Sequence, residues 1–271
     1  MAKVFIEEST LSAIGDAIRE KEGSTDLVPV TDMASRISAI SGGDSYYDTF
    51  WDNYQQNGSR THYIYGFAGL GWNANNFKPK YNMTPQYATA MFRQFSYPID
   101  LVSYLESLGI TLDFSQSLYC DSLFYASQIN HVGVIDASNC TNGGIAEMFA
   151  YNSKIETVDK LIVKPTLYFS NTFNSATGLK NITFEGEIGE NINFVSCKKL
   201  SRDSMDSIRD HLSDSVTGKT CTFSQVAVYW GGFEHSITPP DLIPGVDAGP
   251  IDESEWVAWK SVKPNWTITY L

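Results

Sequence analysis

The sequence predicts an α/β fold: a short solenoid of repeated coils with helical and strand caps, preceded by a small N-terminal helical module. Three observations carry this prediction. An aromatic residue, followed after a polar turn by an aliphatic residue and a short apolar strand, recurs through the middle of the chain. Apolar residues fall at helical spacing before and after these copies. A flexible joint, "SGGDS" at 41–45, separates the opening from the remainder.

In chain order, "STLSAIGDAIREKEG" places Leu11, Ile14 and Ile18 on one helical face, with Ser9 or Thr10 as N-cap and Gly23 as terminator. After the extended "LVPV", Thr31 can cap a second helix whose stripe is Met33, Ile37 and Ile40. Two helices this short cannot bury their faces against each other well enough to be stable alone. Residues 1–41 are therefore expected to act as an anchoring and oligomerisation module through these six apolar residues. Residues 42–58 read as a linker and an aromatic helix carrying Phe50, Trp51 and Tyr54. Residues 59–85 are an irregular aromatic stretch of strand and turn.

The repeats occupy 59–224. Phe124 precedes Ile129, Phe149 precedes Ile155, Phe173 precedes Leu179 and Phe194 precedes Leu200; a weaker copy begins at Phe92, before "IDLVSYL". Successive aliphatics lie 26, 24 and 21 residues apart. A stretch such as "MFAYNSKIETVDKLIV" fits neither a helix nor a strand, because its rhythm belongs to one coil of a stack. The phenylalanine fills the interior, "YNS" turns, and the strand pairs with its neighbour. Residues 225–271 form a long loop and a capping unit. Before them, Ser201 or Asp203 starts a helix with Met205, Ile208 and Leu212 facing the last coil; strand "KTCTFS" follows. A helix near Glu253–Lys260 and strand "WTITYL" close the chain, with Trp256, Trp259 and Trp266 as apolar contacts.

The coil unit resembles the irregular leucine-rich repeats of the BspA-like type. The passage "CKKLSRDSMDSIRDHLSD" looks like the helical end of that array in tail-associated proteins of bacteriophages and of prophages of Gram-positive bacteria. The opening "STLSAIGDAIREKEGSTDLVPVTDMASRISAI" is similar to a module at the start of many phage structural proteins, and "EWVAWKSVKPNWTITYL" resembles how such chains end. Residues 225–252 depart from that pattern, being longer and richer in Pro and Gly. The resemblance implies a non-enzymatic virion structural protein of the tail, baseplate or fibre. It would attach to other virion proteins through its N-terminal module and display its repeats to a host-surface glycan or protein. The alternatives are a bacterial cell-surface adhesin built on the same repeats and, more remotely, a glycan-degrading tail protein.

Charge and motifs narrow the function further. A formal net charge of -12 at pH 7 with no Lys/Arg cluster argues against nucleic acid or an anionic bilayer as a partner. Glu7 and Glu8 interrupt the place where a signal peptide needs an apolar run, which reads as cytoplasmic synthesis before assembly into a virion. No window has the ~20 apolar residues of a membrane span. Cys120, Cys140, Cys197 and Cys221 lack close pairing and read as reduced, buried small hydrophobes. His62, His131, His211 and His235 read as scattered surface or turn residues without metal spacing, and no nucleophile-elbow, P-loop or dinucleotide motif occurs. Asp241, Asp247 and Asp252 lack the grammar of a calcium loop. No cofactor and no metal are expected. The candidate ligand-binding residues are the aromatics Trp51, Trp72, Tyr229 and Trp230, whose flat faces could stack on sugars.

Overall fold

The structure is a computed structural model that describes residues 8–22, 26–33, 61–230, 233 and 253–271. The chain separates into two compact units, Met1–Asn53 and Tyr54–Leu271. In the first, α1 spans Glu8–Glu22 and residues 30–33 are helical. The helix starts earlier than expected, so Ser9 and Thr10 lie inside it rather than capping it. Ile18, Val28 and Met33 are buried together, with Leu11 and Ile14 packed against them. Ile37 and Ile40, like Trp51, lie outside the described residues.

The second unit holds a parallel β-solenoid of about four turns. Strands β1 (His131–Asp136), β2 (Thr157–Val163) and β3 (Asn181–Gly186) pair in parallel in that order. Their register, Val132 to Val158 to Ile182, sets equivalent residues of successive coils one above another. Apolar residues of each strand turn inward, Val132 and Ile135 on β1, Val158, Leu161 and Val163 on β2, and Ile182 and Phe184 on β3; the period-2 pleat holds on β3, and a register irregularity between Val158 and Leu161 interrupts it on β2.

Opposite the sheet stands a ladder of phenylalanines. Phe92 and Phe124 stack with centroids 5.4 Å apart, Phe124 and Phe149 at 5.9 Å, and Phe149 and Phe173 at 5.5 Å, with ring planes within 18° of parallel. Phe67 extends the ladder below Phe92, and Phe194 and Phe223 extend it above Phe173. Each ring is essentially fully buried. The expected coil is thus present, with Phe149 inside and Phe124 and Phe173 on either side.

One expectation about the coils changes. The Phe92 copy does not lead into a strand: Asp100 caps a helix, α2 (Leu101–Ser107), accepting from the backbone N–H of Ser103. A second helix, α3 (Arg202–Asp210), capped by Ser201, lies against β3 at the other end of the sheet. Its Ser204 and Ser207 hydroxyls accept from the N–H groups of Ile182 and Phe184, so α3 satisfies a strand edge that would otherwise be open.

A second parallel sheet follows, formed by β4 (Ile192–Phe194), β5 (Lys219–Phe223) and β6 (Trp266–Tyr270) in that order. A short helix, α4 (Gln225–Trp230), stands where a loop is expected from the composition. Helix α5 (Glu253–Ser261) buries Trp256 and Trp259, and the Trp259 ring meets Phe223 edge-on. Arg202 pairs with Glu255 at 2.9 Å, joining α3 to α5.

Candidate functional site

The phenylalanine side of the solenoid has its own backbone ladder. In each coil the residues two before and two after the phenylalanine adopt positive φ: Ala90 and Gln94 around Phe92, Ser122 and Ala126 around Phe124, Glu147 and Tyr151 around Phe149, Asn171 and Ser175 around Phe173. Every second N–H bonds back within the turn, as from Met91 to Ala88 and from Arg93 to Ala90. The alternate N–H groups donate across to the next coil. Ala90, Phe92 and Gln94 donate to Asp121, Leu123 and Tyr125; Ser122, Phe124 and Ala126 donate to Ala146, Met148 and Ala150. Glu147, Phe149 and Tyr151 donate to Ser170, Thr172 and Asn174 at 2.8 to 2.9 Å.

The ladder then stops. Above the turn of Phe173 lies β4, which is extended rather than turned and pairs only with β5. An extended strand does not present its carbonyls at the spacing of the turn below. The N–H groups of Asn171, Phe173 and Ser175 consequently have no acceptor among the described residues, although φ of +53° at Asn171 and +55° at Ser175 repeats the geometry of the coils beneath. At this seam a groove of about 620 Å³ opens, lined by Tyr168, Asn171, Glu190, Asn193, Thr220 and Thr222 among others. A smaller pocket shares Asn171 and Asn193 and is bounded by Phe173, Asn174 and Ser196. Tyr168 is half exposed, and Glu190 is held by Lys219 at 2.6 Å.

A second cluster joins three coils on the sheet side. His131 at the start of β1 lies between two carboxylates, Nδ1 at 3.1 Å from Asp100 and Nε2 at 2.9 Å from Asp159 on β2. Partial burial alone would lower the imidazole pKa, but the hydrogen bonds to Asp159 and Asp100 hold it above its ordinary value. Burial likewise pushes Asp100 up, and the bonds from Ser103 and His131 outweigh it and hold the carboxyl below its usual range. His131 is therefore a strand residue stitched to its neighbours. The sequence offered no metal or catalytic spacing by which to find it.

Two of the sequence-derived aromatic candidates, Trp72 and Tyr229, have described side chains, and they pack in different parts of the solenoid unit. Trp72 meets Phe67 and Phe77 edge-on and stacks over Phe95, which places its ring in the packing of the early coils. Tyr229, on α4, accepts a hydrogen bond from Gln225 and meets the ring of Tyr270. Trp230 is the last residue of α4. The cysteines Cys120, Cys140, Cys197 and Cys221 are buried and unbridged. Burial pushes the thiols of Cys197 and Cys221 far up, which keeps them protonated and unreactive.

Among the described residues, no group of three or more His, Cys, Asp or Glu could hold a metal ion, and no helix is long and apolar enough to cross a membrane. Comparison of the chain with protein-family models, with curated proteins and with solved structures finds no match.

Proposed function

We propose that this chain is a non-enzymatic virion structural protein, a tail, baseplate or fibre component, that displays its solenoid for contact with a host-cell surface. The observation behind this reading is the division of the chain into a small helical unit and a separate solenoid unit. A stack of coils is a rigid carrier whose outward faces can be varied without disturbing the ladder inside, and a separate unit can hold it to a larger assembly. In this reading the coils are leucine-rich repeats of the BspA-like type, with α3, α5 and β6 as the closing caps. Leu11, Ile14, Ile18 and Met33 hold the small helical unit together within the chain, and in this reading that unit serves attachment to other virion proteins and to further copies of the chain.

Immunogold microscopy of phage particles, with an antibody raised against the full chain, tests the proposal. Label on the particles is expected. Label confined to the bacterial envelope, with bare particles, would replace this reading by that of a cell-surface adhesin.

A further inference from the structure

We propose that the seam between the Phe173 turn and β4 is a binding site for a neutral N-acetylated glycan. Its acetamido carbonyl oxygens accept from the backbone N–H groups of Asn171, Phe173 and Ser175. This inference rests on the reading of the chain as a host-surface binder and names the chemistry of the surface.

Four observations on the seam converge. First, the three N–H groups form a row of donors and nothing else. In the coils below, the equivalent groups each meet a carbonyl oxygen, which β4 does not supply above Phe173, so a ligand carbonyl at the mouth can take that acceptor's role. Second, the lining carries no Lys or Arg next to that row, and its carboxylate, Glu190, is already paired with Lys219. A phosphate, sulfate or carboxylate would bring its charge to an uncompensated site on a chain of net charge -12. A neutral acceptor carries no such cost.

Third, the interior is shut. The Phe173 and Phe194 rings lie 4.4 Å apart, closer than the 5.4 to 5.9 Å of the steps from Phe92 to Phe173. An inserted peptide strand needs ~4.8 Å on each side, so a polypeptide cannot enter in place of a coil. The ligand must lie over the mouth. Fourth, that mouth is lined by amides and hydroxyls, Asn171, Asn174, Asn193, Ser196 and Thr222, with the half-exposed ring of Tyr168 beside them. Neutral groups that both donate and accept match sugar hydroxyls, and a flat ring matches the apolar face of a pyranose.

The test is an NMR titration of the isotope-labelled full chain with chitotetraose, and separately with maltotetraose, inorganic phosphate and acetyl-tetraserine amide. Chitotetraose is expected to move the amide protons of Asn171, Phe173 and Ser175 downfield with Kd of about 1 mM or tighter, and the other probes are not. In Asn174→Trp the indole fills the groove; the backbone bonds of residue 174, to Asn171 and from Tyr151, do not involve its side chain. Its affinity for chitotetraose should fall at least about tenfold at an unchanged melting temperature. If those three amides do not respond to chitotetraose, or respond equally to phosphate or to the peptide, the proposal is wrong. Should Asn174→Trp fold poorly, the titration of the unaltered chain still decides. Host-cell binding by the full chain, without a chitotetraose response, would sink the site and leave the host-surface reading intact; chitotetraose binding without any host-cell binding would do the reverse.

Discussion

Phe149 shows how a single side chain defines the coil. Its ring lies parallel to that of Phe124 within 3° and to that of Phe173 within 18°, and it is 1% exposed. Truncation to Ala removes contacts on both ring faces and leaves a cavity between coils that cannot collapse independently. Phe149→Ala is expected to cost about 3–5 kcal/mol in urea unfolding, while the exposed Lys154→Ala stays within about 0.5 kcal/mol. His131 acts in the opposite way, through charge. With its pKa held up, the stitch to Asp100 and Asp159 is fully made below the ordinary histidine value of about 6.5 and is lost as pH rises through the folded-state value. The Asp100 part, with a lowered pKa, is lost instead as pH falls through its own folded value. The stitch is thus strongest in mildly acidic solution. The urea midpoint should decline from about pH 5.5 to about pH 8.5, and the part of that decline due to the stitch should vanish in His131→Gln.

At the scale of elements, the phenylalanine ladder was legible because side chains repeat where coils stack. The positive φ values were not. Ala90, Ser122, Glu147 and Asn171 share no residue type, and most of them disfavour the left-handed region, so local propensity carries no signal. The ladder of bonds between coils holds these residues there. Helix α2 was missed for a related reason: "IDLVSYL" has the apolar content of the strands, and its Asp100 cap outweighs that pattern. The seam did leave a trace, the shortened step of 21 residues between Leu179 and Leu200. Reading that step as a change from turn to strand, with unpaired donors, needs backbone geometry. One element boundary is decided by a glycine. At Gly186, which ends β3 with φ of +83°, a Cβ would sit 2.1 Å from the Val163 carbonyl oxygen. Gly186→Ala is expected to destabilise by about 2 kcal/mol or more, read by thermal melting.

For the molecule as a whole, the proposed function depends on what each unit does. Among the described residues the apolar cluster around Ile18, Val28 and Met33 is small, and a unit of about 50 residues is marginal alone and gains stability from a partner. Light scattering on the full chain is expected to give a mass above that of one chain, and a chain truncated before Asp44 should return to the monomeric mass. Equal monomeric masses would remove the proposed role of residues 1–41 in self-association. In the solenoid unit one regular ladder runs upward through the described coils and breaks at the seam above Phe173. Residue-resolved amide hydrogen exchange on the full chain tests it most directly. Slow exchange is predicted at Ser122, Phe124, Ala126, Glu147, Phe149 and Tyr151, and fast exchange at Asn171, Phe173 and Ser175. Uniform protection through all of these amides would mean that the ladder continues past Phe173, and would contradict both the seam and the site built on it.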